Sequence, residues 1–173
     1  MKETLEKAAA IKLVVFDVDG VLTDGTLFLG DDGLEYKAFN SKDGLGMKML
    51  QRSGVEIGII TARNSHVVAL RMESLGIKHV YQGQENKLPA LKELQQKLGL
   101  KSEQIAYVGD DVVDLPIMRY VGLSIAVQDA HRQAISHAHW ITSARGGRGA
   151  AREVCDLLLE AQGNLSTALE RYL

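Results

Sequence analysis

Apolar residues in this chain fall into short unbroken runs set between stretches of helical period. The run 11–16 mixes Ile, Leu, Val and Phe without alternation, the pattern of a central strand covered on both faces. Runs at 55–60, 77–81, 105–108 and 123–127, with a shorter one at 139–141, predict five more strands. Helices are predicted over 43–53, stopped by Gly54, and from Asn64 or Ser65 to Leu75, ended by Gly76. Further helices are predicted over 86–98, 115–120, 130–136 and 150–160. Residues 1–10 read as a short helical or frayed lead-in, and 164–173 as a final short helix. Strands alternating with helices predict a doubly wound, Rossmann-like α/β fold with a mostly parallel sheet.

One segment breaks that alternation. Two β-rich runs, 26–29 and 34–39, flank Gly30-Asp31-Asp32-Gly33 and predict a β-hairpin insertion over 24–40, directly after the first strand. Leu27, Phe28, Leu29, Leu34, Tyr36 and Phe39 give it more apolar surface than a two-stranded ribbon buries alone. The hairpin is therefore expected to pack against a neighbouring subunit, making a homo-oligomer.

Composition narrows the class. The 173 residues suit one domain, 1–173, with a tail and C-terminal helices over 144–173. A net charge of −2 gives no reason to expect nucleic acid or an anionic membrane as partner. Apolar runs are too short to span a bilayer, and the mixed-charge start Met1-Lys2-Glu3 lacks a signal-peptide core. Cys155 is the one cysteine, which excludes an internal disulfide and suits a cytoplasmic protein. Its apolar neighbours on a predicted helix make it a core thiol.

Polar residues gather where the strands end. Asp17 and Asp19 follow the first strand, with Gly20 to turn the chain. Ligands of open α/β sheets lie in the crevice beyond the carboxyl ends of the strands, although Asp before Gly also serves ordinary turns. Thr61 ends the second strand and offers a hydroxyl, or simply a strand-end cap. Lys87 opens a helix, where N-terminal amides already favour an anion, or stands there as a solvated helix residue. Gly109 leads into Asp110, Asp111 and Asp114. Three carboxylates within five residues need a cation, and oxygen-only ligands select a hard one such as Mg²⁺. Arg63 and, about two helical turns on, Arg71 could grip an anionic group. The basic, glycine-rich stretch 144–150, with Arg148, is expected to be mobile and to meet an anion, or to be a flexible soluble loop. His66, His79, His131, His137 and His139 show no ligand spacing, and Trp140 reads as core.

The string Asp17-Val18-Asp19-Gly20-Val21-Leu22-Thr23-Asp24-Gly25 resembles the first motif of the haloacid dehalogenase superfamily. The form of that string is similar to the branch of acidic-sugar phosphatases that includes the 3-deoxy-D-manno-octulosonate 8-phosphate phosphatases. Thr61, Lys87 and Gly109-Asp110-Asp111-x-x-Asp114 follow in the order of the other three motifs, so the resemblance spans about residues 11–155. The segment 146–153, including Arg152 and Glu153, resembles that branch's G-G-[KR]-G-A-x-R-E. The resemblance implies a capless phosphomonoesterase acting through an aspartyl phosphate. Asp17 would be the nucleophile and Asp19 the general acid and base. Thr61 and Lys87 would hold the phosphoryl oxygens, and Mg²⁺ would be held by Asp17, the backbone carbonyl of Asp19 and Asp110. Asp111 and Asp114 would support the site by orienting Lys87 and water. It further implies a homotetramer built through the 24–40 hairpin, and an eight-carbon sugar-acid phosphate of lipopolysaccharide synthesis as substrate. A nine-carbon acidic sugar phosphate is the alternative substrate. A receiver module that stores phosphate on Asp, or a non-catalytic scaffold, is the alternative class.

Overall fold

The computed structural model describes residues 2–173. Helix α1 (Lys2–Ala9) leads into β1 (Leu13–Phe16), and a two-stranded ribbon, β2 (Phe28–Leu29) and β3 (Glu35–Tyr36), follows. Then come α2 (Ser41–Arg52), β4 (Glu56–Ile60), α3 (His66–Leu75), β5 (His79–Tyr81) and α4 (Lys87–Leu98). The second half runs β6 (Ile105–Gly109), α5 (Leu115–Met118), β7 (Leu123–Ala126), α6 (Arg132–His137), β8 (Trp140–Ile141), α7 (Ala150–Ala161) and α8 (Leu165–Glu170).

Six strands form one sheet in the order β5-β4-β1-β6-β7-β8, and every pairing in it is parallel. Strand β1 is central and fully buried, and its residues alternate between two apolar layers. Val14 and Phe16 join the layer of α2, α3 and α7, whereas Leu13 and Val15 join that of α4, α5 and α6. The doubly wound α/β expectation is met. The sheet grows in one direction from β1 through β4 and in the other through β6. The crevice between β1 and β6 is thus the point where ligands of such sheets settle.

Helix ends differ locally from the sequence reading. Helix α2 starts two residues earlier than expected, because the Asn40 side chain accepts from the Lys42 and Asp43 amides and caps it. Asp43 is free to turn inward, where its carboxylate accepts from the Arg152 amide (2.8 Å) and ties α2 to the start of α7. Gly76 ends α3 in the left-handed conformation its position called for.

The hairpin is real but its ladder is only two residues long on each side, pairing Phe28 with Tyr36 and Leu29 with Glu35. Leu27, Phe28, Leu29, Leu34 and Tyr36 are exposed, and the described residues form no cap domain over the sheet. Phe39 is the exception, packing against the core layer of α2.

Candidate active site

The loop after β1 is built around a single carbonyl. The amides of Val21, Leu22 and Thr23 all donate to Val18 O, and the Thr23 hydroxyl accepts from the Gly20 and Gly25 amides. This tight turn aims Asp17 and Asp19 into the crevice. Gly20 has φ +86°, and a Cβ there would lie 2.1 Å from the Asp110 carboxylate. The turn and the approach of Asp110 both require glycine.

Asp17, almost fully buried, accepts from the Val18 amide at 2.7 Å through Oδ1 and from Lys87 Nζ at 2.5 Å through Oδ2. Lys87 also donates to Asp114 Oδ1 at 2.7 Å and to the Tyr107 hydroxyl at 3.3 Å. Asp114 is saturated with donors. Its Oδ1 also takes the Tyr107 O–H at 2.6 Å, and its Oδ2 takes the amides of Asp110 and Asp111. It therefore acts as a clamp that fixes Lys87 and the backbone of the Asp110 loop. Asp110 is held through its backbone, its amide on Asp114 and its carbonyl on His131 N–H, so its carboxylate is left for a ligand.

The electrostatics are those of a site short of positive charge. Carboxylate oxygens of Asp17, Asp110 and Asp114 lie within 4.8 Å of one another. Burial, with Asp114, Asp17 and Asp111 beside it, pushes Asp110 up to about 8. Burial also raises Asp17 to about 6, against the pull of Lys87. Burial works against the charge on Lys87, but Asp17 and Asp114 outweigh it and hold its proton more tightly than usual. One ammonium does not neutralise three carboxylates. A hard divalent cation among oxygen donors fits the remaining charge.

Thr61 is the buried residue just past β4, beside β1, so it stands at the same end of the sheet as Asp17. Asp111 is exposed, and its carboxylate caps its own turn through the Val112 amide rather than reaching Lys87. Arg63 stands over the hairpin, 3.4 Å from Glu35. Arg71 is not brought to Asp17, Asp110 or Asp114. Its guanidinium bonds the Asn40 carbonyl at 3.4 Å and lies over the Phe39 ring, facing the start of α2. Arg148 pairs with Asp24 at 3.1 Å on the rim of the loop.

The glycine-rich stretch is not loose in this structure. The Gly147 amide donates to Val21 O, the Gly146 amide to Asp129, and the Glu153 carboxylate accepts from the amides of Ser143 and Ala144. A Cβ on Gly146 would meet Gly20 O at 1.8 Å. The glycines let two backbones touch, and the stretch straps the Asp17–Asp24 loop in place.

Three residues with contacts here were not singled out from sequence. Tyr107 sits in an apolar strand run and reads as core until its hydroxyl is seen on Asp114. Lys37 and Glu35 belong to the hairpin. Their signal was positional, since residues two apart in a strand share a face.

Residues 73–153 match the model of the haloacid dehalogenase-like hydrolases. The 3-deoxy-D-manno-octulosonate 8-phosphate phosphatase of Escherichia coli K12 is 51% identical over 166 residues, covering 96% of this chain and 88% of that one. A crystal structure of the phosphatase of that name from Yersinia pestis superposes with a TM-score of 0.94 at 48% identity, covering 95% of this chain and 89% of that one. The Moraxella catarrhalis phosphatase, solved in complex with a magnesium ion, a phosphate ion and a KDO molecule, superposes with a TM-score of 0.98. It is 43% identical, over 100% of this chain and 99% of that one.

Proposed function

The chain belongs to the haloacid dehalogenase-like hydrolases, among the 3-deoxy-D-manno-octulosonate 8-phosphate phosphatases, and from that premise we propose that it hydrolyses this eight-carbon sugar-acid phosphate to the free sugar acid and phosphate. The observation that carries the chemistry is the pairing of a buried carboxylate, Asp17, with a lysine locked by Asp114 and Tyr107 at the mouth of the crevice.

Asp17 is assigned as the nucleophile. Its Oδ2 is turned to Lys87, which steadies the carboxylate and offers a cation to the phosphoryl oxygens. Thr61 is assigned to the same oxygens as a hydroxyl donor. Asp19, at 23% side-chain exposure, is placed to give a proton to the leaving sugar oxygen and later to take one from water. Asp17, the backbone carbonyl of Asp19 and Asp110 would hold Mg²⁺, which when bound would supply positive charge that offsets repulsion between nucleophile and phosphate. Asp114 keeps Lys87 in place, and Asp111 shapes the turn that presents Asp110. Arg63 and Arg148 are assigned to the sugar-acid end. Arg71 is assigned with them, from a position that faces α2 in this structure.

We place the protein in the cytoplasm, on the lipopolysaccharide route. Its single cysteine is buried, and among the described residues no helix is long and apolar enough to cross a membrane. The exposed apolar face of the hairpin supports assembly into a homotetramer, which a monomer in sedimentation at micromolar concentration would exclude.

The test is phosphate release with Mg²⁺ from a panel of eight- and nine-carbon acidic sugar phosphates and neutral ones. A strong preference for the eight-carbon substrate is expected, with Asp17→Asn folded but silent. Preference for a nine-carbon substrate would move the substrate assignment alone. A stable phosphoprotein without release would overturn the phosphatase reading in favour of a receiver.

A further inference from the structure

The ribbon is built inside out. In a soluble hairpin the apolar face packs inward and the charged face meets water. Here Leu34 and Tyr36 point outward, 54% and 61% exposed, while Glu35 and Lys37 turn toward the crevice. The Lys37 side chain is only 1% exposed. Its aligned hydrogen bond goes to Asp19 Oδ1, and Glu35 Oε1 meets the same ammonium at 2.7 Å as an ion pair without hydrogen-bond alignment. Arg63, from the loop after β4, reaches the other Glu35 oxygen. The charges thus alternate in sign from Asp19 through Lys37 and Glu35 to Arg63.

Burying an ammonium strips it of water, a cost its partners must offset. Holding the hairpin down does not call for that, because an apolar side chain at position 37 would pack without the desolvation cost. The buried charge is explained by what it touches. Accepting the phosphatase reading on which this rests, we propose that Lys37 is a positioning residue for Asp19, so that the hairpin, rather than a cap domain, completes the general acid and base.

Asp17 Oδ forms a bond to phosphorus while the bond from phosphorus to the sugar oxygen breaks and leaves its electron pair on that oxygen. The proton on Asp19 Oδ2 passes to the same oxygen, and negative charge gathers on the Asp19 carboxylate. Lys37 is already seated at Oδ1, where it meets that charge without reorganising and leaves Oδ2 free for the transfer. It also holds the carboxyl plane in one orientation, which a solvated Asp would sample among others. In the second half the water oxygen bonds to phosphorus as the bond from phosphorus to Asp17 Oδ breaks and returns its electron pair to that carboxylate. The Asp19 carboxylate takes the proton the water gives up. Glu35, held in turn by Arg63, keeps the ammonium from following the phosphate.

The test separates acid catalysis from structural support by leaving group. Lys37→Met, Lys37→Gln and Lys37→Arg are compared with wild type by kcat/KM on a sugar-acid phosphate and on p-nitrophenyl phosphate, whose leaving group departs without a proton. Removing the charge should lower kcat/KM on the sugar phosphate by about 100-fold, the scale of one general acid, and by an order of magnitude less on the aryl ester. Arginine should recover part of the loss. Lys37→Gln keeps a donor to pin the hairpin and decides the matter if Lys37→Met does not fold. Equal losses on both substrates, a loss confined to KM, or no loss would overturn the role of Lys37 while leaving the phosphatase reading intact. Wild type silent on both substrates would overturn that reading and this role with it.

Discussion

Withdrawing the divalent ion while raising the pH should loosen the fold at its centre. The perturbation acts on Asp110 and Asp17, whose carboxyls burial and neighbouring carboxylates push from the ordinary 3.8 up to about 8 and about 6. A carboxyl raised on folding keeps its proton longer in the native than in the unfolded chain. Below about pH 4 both states are protonated and the group contributes nothing. As pH rises toward about 8 the unfolded chain ionises freely, the native chain resists, and stability falls. For Asp110 about four decades of proton affinity, at about 1.4 kcal/mol each, set a cost on the order of 5 kcal/mol. Asp17 shares the same repulsion, so its smaller shift does not simply add. Set against a native stability of about 5–15 kcal/mol, the effect is large. Mg²⁺ takes the place of the protons and should remove it. The assay is urea unfolding at about pH 5.5 and about pH 8.5, in chelator and in excess Mg²⁺. Chelated protein should lose stability at the higher pH, Mg²⁺ should restore it there and do little at the lower pH, and Asp110→Asn should flatten the chelated profile. A chelated protein equally stable at both values would refute the charge balance drawn for this site.

Two further outcomes test how the loop and the hairpin are held. Gly147 has φ +65°, and a Cβ there would lie 2.4 Å from the Thr23 carbonyl carbon, whereas Gly163 has φ +70° and nothing within 4 Å. Gly147→Ala should therefore cost more than the ~1–2 kcal/mol of left-handed strain that Gly163→Ala costs, lowering Tm further and reducing kcat with it. Equal melting of the two variants would deny that the strap seats the loop. Phe28→Ser together with Leu29→Ser should shift the sedimenting species toward monomer, because these apolar side chains are 51% and 69% exposed on the hairpin. An unchanged oligomer would move the interface elsewhere.

What could be read from sequence follows from what fixes each residue. Asp17, Asp19, Thr61 and Asp110 sit one to three residues past strands whose apolar runs are unmistakable, so the sheet itself carries them to one edge. Lys87 is fixed by the first turn of α4 in the same way. Arg71 is less legible, because a count of helical turns from Arg63 assumes a continuous helix between them. Helix α3 begins only at His66, so the irregular residues between them break that count and Arg71 turns to α2. Composition alone cannot distinguish a glycine that permits motion from one that permits contact, and at 146–147 the contact is what the chain uses. The hairpin holds the sharpest case. Its apolar residues were legible as a ribbon with surplus greasy surface, yet the same alternation placed Glu35 and Lys37 together on the opposite face. In an ordinary hairpin that face meets water and carries no information. Here the crevice lies beneath it and neighbouring copies are expected above, so the usual meaning of charged and apolar faces is exchanged. The exchange follows from the missing cap. A cap would bring its own polar groups down over the phosphate. A ribbon this short has only its inward positions to do so, and Lys37 fills one of them.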